Sequence, residues 1–91
     1  MVTVTSGGIM ISMKHKVFKI PKDRMEEFVM ALVEYLYGSD VLYLEFEGFE
    51  LHMKNELLII EEDEDDKLHI LNLPIPLCTR LLGNLVRELD L

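Results

Sequence analysis

The sequence of 91 residues has one cysteine, no tryptophan, no glutamine and only nine basic side chains against 17 acidic ones. Cys78 alone cannot form an internal disulfide, which fits a reducing compartment. The net charge of −8 disfavours bulk attraction to nucleic acid or to an anionic membrane. No apolar run approaches the roughly 20 residues of a membrane-spanning helix, and the first residues lack the pattern of a secretory signal. We therefore expect a cytoplasmic protein with no direct contact to nucleic acid or membrane.

Length and composition predict a single domain over residues 1–91 with a small core, because a chain this short buries only about 60–65% of its unfolded surface. Such a core leaves little space for a deep catalytic cleft, and we expect no cofactor. Hydrophobic residues make up 49% of the chain and charged residues 29%. Abundant Glu without Gln is typical of proteins from hot environments and predicts a thermophilic source.

Two runs rich in β-branched residues open the chain and are joined through Gly7-Gly8, which tolerates the positive φ of a tight turn. The pattern predicts a hairpin of residues 2–5 and 9–13. As an alternative, one strand begins at residue 13 and runs to residue 20. The natural start codon is Met1, Met10 or Met13.

A first helix is predicted after Pro21, which cannot donate to a strand ladder but suits a first helical turn. Asp23 and Glu26 have the spacing of a capping box, and Gly38 is the expected residue just past the end of the helix. One apolar stripe recurs at helical spacing: Met25, Phe28, Val29, Leu32 and Leu36.

Residues 41–73 have no helical period and predict a meander of four antiparallel strands with short connections. Residues 57–60 are apolar on both faces, which indicates a central strand. The acidic block 61–66 is predicted to form the turn before a fourth strand at residues 67–73.

A second helix is predicted to begin near Pro76, with apolar residues again at helical spacing: Cys78, Leu81, Leu82, Leu85 and Leu89. The fold class is therefore α+β. An N-terminal hairpin or strand and the meander form an antiparallel sheet with two α-helices packed on one face.

The first helix carries more apolar surface than its core stripe requires. Met30, Val33 and Tyr37 lie at i, i+3 and i+7 beside the stripe, and Tyr35 flanks its other side. Tyr and Met are favoured in interfaces. We expect these four residues to contact a protein partner or a second copy of the chain, unless a small sheet wraps the helix more fully than usual.

The acidic block consists of six consecutive carboxylates: Glu61, Glu62, Asp63, Glu64, Asp65 and Asp66. A calcium loop would need Gly at the sixth position and Glu at the twelfth, where this chain has Asp66 and Asn72. The block is therefore interpreted as a solvated hairpin tip that discourages edge aggregation, or as a surface that meets a basic partner.

Five of the nine cations lie in one basic segment: Lys14, Lys16, Lys19, Lys22 and Arg24. This segment either orients docking to a partner or balances the charge of the acidic sheet. It has neither the breadth nor the stacking aromatics of a nucleic-acid platform.

No catalytic or metal-binding motif is present in the sequence. His15, His52 and His69 are isolated from one another, although two of them could meet across neighbouring strands. Cys78 belongs to the apolar stripe of the second helix, where a free cysteine behaves as a small buried hydrophobe. We therefore expect no catalytic residues, no metal site and no enzyme activity.

The sequence predicts a non-catalytic protein-binding module, an accessory subunit of a larger complex, whose partner offers a basic and apolar surface. The alternative is an acidic inhibitor that mimics nucleic acid and blocks a basic site. In size, composition, the helix from Lys22 to Tyr37 and the Glu61–Asp66 turn, the chain resembles the small accessory subunits of archaeal family-B DNA polymerases. The resemblance implies a partner that stabilises or tunes a replicative polymerase in DNA replication. It carries no diagnostic motif and assigns no binding residue.

Overall fold

Seven strands and two α-helices follow one another in the order β-β-β-α-β-β-β-β-α over residues 1–90, the part of the chain that this computed structural model describes. The strands are β1 (Val2–Thr5), β2 (Gly8–Ser12), β3 (Val17–Pro21), β4 (Val41–Phe46), β5 (Phe49–Lys54), β6 (Leu57–Glu62) and β7 (Leu68–Asn72). The helices are α1 (Met25–Leu36) and α2 (Ile75–Leu89), and a 3-10 turn, Lys22–Arg24, precedes α1. The α+β prediction is confirmed.

The strands form two antiparallel sheets rather than one, ordered β1-β2-β3 and β4-β5-β6-β7. The predicted N-terminal hairpin is confirmed, with Thr5 paired to Gly8 across a Ser6-Gly7 turn. The alternative single strand over residues 13–20 is wrong, because the chain turns there and the Met13 N–H donates to the Lys16 carbonyl at 2.8 Å. Only the end of that segment is extended, as β3, which pairs with β2.

Gly8 has to be a glycine. Its φ is +140°, and a Cβ at this position would lie 2.2 Å from the Ile20 carbonyl oxygen. The missing side chain therefore allows β3 to lie close against β2.

The start of α1 differs from the prediction. Residues 22–24 form a 3-10 turn, α1 begins at Met25, and no side chain among the described residues caps it, so the capping box of Asp23 and Glu26 is wrong. Arg24 instead pairs with Glu27 and donates from Nη1 to the Glu45 carbonyl at 2.6 Å. Gly38 lies just past the helix with φ +136°, as expected of a terminating glycine.

Both helices turn their predicted apolar stripes to the core, although Leu36, Leu82 and Leu89 of those stripes are only half-buried. Met25, Phe28, Val29 and Leu32 of α1 are buried, as are Cys78, Leu81 and Leu85 of α2. The helices contact each other, while α1 also packs on β4 and α2 on β1. One continuous cluster of buried residues joins both sheets and both helices.

Two further findings bear on function. The Cα radius of gyration is 12.2 Å, which matches the ~12 Å expected of a folded chain of this length. Neither α1 nor α2 is long and apolar enough to cross a membrane, and the same is true of every helix within residues 1–90.

Candidate protein-binding surface

The sheet β4–β7 has one face in the core and one face towards solvent, which we call the outer sheet face. The strand register places Tyr43, His52, Ile59 and Ile70 side by side across this face. Tyr43 is 45% exposed and Ile70 is 60% exposed. The middle row of the outer sheet face is therefore largely apolar and partly open to water.

Two more rows flank this middle row. On one side lie Val41, Lys54, Leu57 and Asn72, and on the other lie Glu45, Glu50, Glu61 and Leu68. Val41 and Leu68 are exposed, and Leu57 is half-buried. Along the strands of such a sheet, polar residues on the solvent face usually alternate with apolar residues on the core face. Here six of the twelve positions are large apolar side chains, counting Tyr43.

Sequence reasoning missed this surface, although its signal was present. The apolar residues on both faces of the segment 57–60 were interpreted only as the mark of a central strand. Their outward members, Leu57 and Ile59, lie on the outer sheet face together with Ile70 of the neighbouring strand. A strand that is central within its sheet still has a solvent face when no helix covers it.

A row of carboxylates borders the apolar part of the outer sheet face. Glu45, Glu50 and Glu61 are direct cross-strand neighbours. The Tyr43 hydroxyl oxygen lies 2.6 Å from Glu50 Oε1 and 2.8 Å from Glu45 Oε1, and its single proton is donated to one of them at a time. These hydrogen bonds, first the one to Glu50, raise the pKa of Tyr43 well above its ordinary value.

The four residues that were predicted to form a binding surface on α1 differ in their exposure to solvent. Met30 and Tyr37 are exposed, at 64% and 85%, and Val33 is half-buried against the core cluster. Tyr35 is only 8% exposed, and its hydroxyl accepts a hydrogen bond from the Glu56 N–H at 3.2 Å. Tyr35 therefore does not belong to a binding surface, because it closes the core against the β5–β6 turn.

The acidic block was predicted to form a single turn, but the structure divides it between a strand and a turn. Glu61 and Glu62 are the last residues of β6, and only Asp63, Glu64, Asp65 and Asp66 lie in the connection to β7. The Asp63 N–H donates to the Gly48 carbonyl at 3.1 Å, so this turn lies against the β4–β5 turn. Both turns and the carboxylate row therefore make one end of the sheet strongly acidic.

Glu62 has a structural environment that its neighbours in the acidic block lack. Its carboxylate forms an ion pair with Lys16 and lies 2.7 Å from His69 Nε2. Lys16 and then His69 lower the pKa of Glu62. The His69 ring lies 5.1 Å from the Phe18 ring, so this cluster fastens the start of β3 to the larger sheet.

The basic segment is only partly available to a partner. Lys16 is paired with Glu62, and Arg24 is paired with Glu27 and stacks 4.3 Å from the Phe46 ring centre. Lys14, Lys19 and Lys22 are exposed. For Lys16 and Arg24 the structure favours charge balance within the protein over docking.

Within residues 1–90 the three histidines and the cysteine do not form a common site with one another. His15 is exposed in the turn before β3, whereas His52 and His69 lie on opposite faces of the larger sheet and do not meet. Cys78 is buried, its thiol donates to the Leu73 carbonyl at 3.4 Å, and burial raises its pKa. A thiol with a raised pKa is a poor nucleophile.

An apolar groove of about 430 Å³ lies between α2, β7 and the start of β1, and it meets the edge of the outer sheet face at Asn72. Leu71, Leu77 and Leu81 line it, and Arg80 is the charged side chain at its edge. This lining brings together no acid and base that could act on a substrate.

Comparisons of the chain with protein-family models, with curated proteins and with solved structures gave no match.

Proposed function

We propose that the protein is a non-catalytic protein-binding module that acts as a cytoplasmic accessory subunit of a larger complex. The observation that supports this most is the outer sheet face, where exposed apolar side chains lie beside a row of carboxylates. Large exposed apolar patches rimmed by polar residues are typical of protein-binding sites.

The apolar residues can supply useful affinity. Covering the exposed part of a side chain such as Ile70, Leu68 or Tyr43 is worth on the order of 1 kcal/mol each. Several such contacts begin to offset the roughly 4–15 kcal/mol that association costs in lost motion. A partner that also pairs with the carboxylates gains in association rate and in orientation.

Charge favours a different protein over a second copy as the partner. The outer sheet face carries Glu45, Glu50 and Glu61 against one cation, Lys54. Two such faces brought together would place like charges close to each other, which costs free energy. The partner surface is therefore apolar and basic, and self-association is the alternative that the experiment tests.

The resemblance to the accessory subunits of archaeal family-B DNA polymerases suggests the host complex. An acidic chain suits that role when it binds the polymerase away from DNA, because a net charge of −8 repels phosphates. It would stabilise or tune the polymerase without chemistry of its own.

The test is reconstitution with a purified archaeal family-B DNA polymerase, followed by size-exclusion chromatography with light scattering. We expect a stoichiometric complex whose affinity falls about 10- to 100-fold in Ile70→Asp, because the change puts a charge into an apolar contact. Leu77→Asp, at an exposed leucine on α2, is the matched control and should bind as wild type does. If Ile70→Asp binds as tightly as wild type, the outer sheet face is not the binding surface. If no complex forms, a family-B DNA polymerase is not the partner. A dimer of the free chain would favour self-association.

The second candidate, an acidic inhibitor that mimics nucleic acid, is supported by the acidic end of the larger sheet. There the carboxylate row lies at the same end as the two adjacent turns, at residues 47–48 and 63–66. An inhibitor should displace primer–template DNA from the polymerase, whereas an accessory subunit should leave DNA bound.

A further inference from the structure

One imidazole and two carboxylates converge on the outer sheet face. Glu50 and Glu61 are paired directly across β5 and β6, and His52 is two residues from Glu50 on the same face of β5. One ligand atom from each of the three residues lies within 4.8 Å of the others. All three side chains are half-buried on neighbouring strands, so their backbones are held in place by the sheet.

No basic side chain within the described residues forms an ion pair with Glu50 or Glu61. Within residues 1–90, the carboxylates paired with a basic group are Glu27 and Glu62. Lys54, the cation of the outer sheet face, lies four residues from Glu50 along β5, a distance of roughly 13 Å. Directly opposed like charges destabilise a sheet, so a cation bound between Glu50 and Glu61 would relieve that repulsion.

Tyr43 orients two of the three ligands. Its ring meets the His52 ring edge-on, with 4.7 Å between centroids and 62° between planes. Its hydroxyl engages only Oε1 of Glu50, which leaves Oε2 of that carboxylate for another contact. Such outer contacts are what fix metal ligands in place in established sites.

We propose that Glu50, His52 and Glu61 bind one divalent transition-metal ion, for which Zn²⁺ is the best match. An imidazole nitrogen with carboxylate oxygens suits Zn²⁺ and its neighbours, whereas Ca²⁺ and Mg²⁺ prefer oxygen ligands only. The ligand atoms lie within 4.8 Å of one another, and because metal–ligand distances are near 2.0–2.2 Å, any pair close to that limit has to draw closer on binding. Rotation about the glutamate side-chain bonds supplies that movement.

Three protein ligands leave at least one coordination position open at a tetrahedral ion. The site faces solvent, so water or a side chain of a docked protein would fill that position. Binding would also add two positive charges beside the row of carboxylates formed by Glu45, Glu50 and Glu61. The site consists only of residues of this chain and does not depend on the proposed partner.

The test is calorimetric titration of the full chain with Zn²⁺ and, separately, with Ca²⁺. We expect one Zn²⁺ per chain and an affinity at least about tenfold lower in His52→Asn and in Glu61→Gln, since each loses a ligand. His15→Asn and Glu64→Gln, at an exposed histidine and an exposed carboxylate, are the matched controls and should bind as wild type does. Equal losses in the controls, no loss in the ligand variants, or equal binding of Ca²⁺ would overturn the proposal.

A second measurement uses the unaltered chain, so it does not depend on how the variants fold. Imidazole resonances followed by NMR during Zn²⁺ addition should shift for His52, while those of His15 and His69 stay in place. A shift of His69 instead of His52 would place the metal at Glu62 on the inner face and contradict the assignment.

Discussion

The backbone N–H of Glu56 donates a hydrogen bond to the hydroxyl of Tyr35 at 3.2 Å, which joins the last turn of α1 to the β5–β6 turn. The same glutamate accepts two further hydrogen bonds, from the Ile75 N–H to its carboxylate at 2.9 Å and from the Leu73 N–H to its carbonyl at 2.8 Å. The carboxylate thus satisfies a free N–H at the start of α2, which has no cap from its own flanking residue. This one turn holds both helices.

Replacing Tyr35 by Phe removes the acceptor and leaves the Glu56 N–H without its partner. We expect a loss of about 1 kcal/mol in the free energy of unfolding, because a typical hydrogen bond contributes ~0.5–1.5 kcal/mol net. Urea denaturation measures it. Tyr37→Phe, two residues further along and 85% exposed, is the control and should change nothing. Equal stability of the two variants would show that the Tyr35 hydroxyl contributes nothing to stability.

Replacement by alanine should have opposite effects on stability at Gly8 and at Gly83. Gly8→Ala should destabilise the fold by at least ~2 kcal/mol, since its Cβ would clash with the Ile20 carbonyl at a positive φ. Gly83→Ala, in the middle of α2 with open space around its Cβ, should instead stabilise the fold by about 0.5–1 kcal/mol. Thermal unfolding of both variants measures the difference, and a tolerated Gly8→Ala would contradict the close approach of β2 and β3.

The free energy of unfolding should decrease in acid, because protonation of Glu62 weakens its contacts with Lys16 and His69. The pKa of Glu62 is lowered from an ordinary value of 4.5 by Lys16 and then His69. A lowered pKa means that this carboxylate adds stability above pH 4.5, and that the contribution is lost as pH falls through the pKa of the folded state. In a series of melting temperatures measured from neutral to acid pH, we therefore expect a decrease once the pH falls below 4.5.

Glu62→Gln should flatten that acid dependence, because the amide cannot ionise. Glu64→Gln, in the exposed turn, removes the same charge without the two partners and should leave the profile as in wild type. An unchanged acid limb in Glu62→Gln would mean that other carboxylates dominate it.

The exposed residues of α1 allow a test of the helix surface that is separate from the outer sheet face. Because Met30 and Tyr37 are well exposed, changing both to Asp should leave the melting temperature within a few degrees of wild type. If α1 contacts the polymerase, affinity should fall by about tenfold or more. Unchanged affinity in a pull-down, together with a loss in Ile70→Asp, would assign binding to the outer sheet face alone.

Much of the fold could be read from periodicity. The lack of a helical period in residues 41–73 predicted the four-stranded meander, and the stripe that begins at Met25 predicted the buried side of α1. The connections within the meander are short, as predicted, and the two residues between β5 and β6, Asn55 and Glu56, both have positive φ. These features depend on neighbours only a few residues apart, which is why a sequence pattern reveals them.

The candidate surfaces were predicted less well. Tyr35 was predicted to be part of a binding surface because helical spacing places it beside the core stripe, but the β5–β6 turn covers it. Glu62 was grouped with the acidic turn, but a strand two residues longer than its apolar core carries it inward to Lys16 and His69. The contact of Tyr35 with Glu56 joins residues 21 positions apart, and that of Lys16 with Glu62 joins residues 46 positions apart. The contact of Glu62 with His69 is more local, at seven positions.

Local periodicity and the residues that end strands or helices were sufficient to predict the α+β class, the two amphipathic helices and the meander, but they left the N-terminal hairpin open beside a single strand over residues 13–20. The three-dimensional arrangement was needed to show that the strands form two sheets, that Tyr35 is inside while Met30 is outside, and that residues 1–90 leave one face of the larger sheet open to solvent. The physical reason is that periodicity states which side chains share a face, whereas burial depends on what distant part of the chain packs against that face.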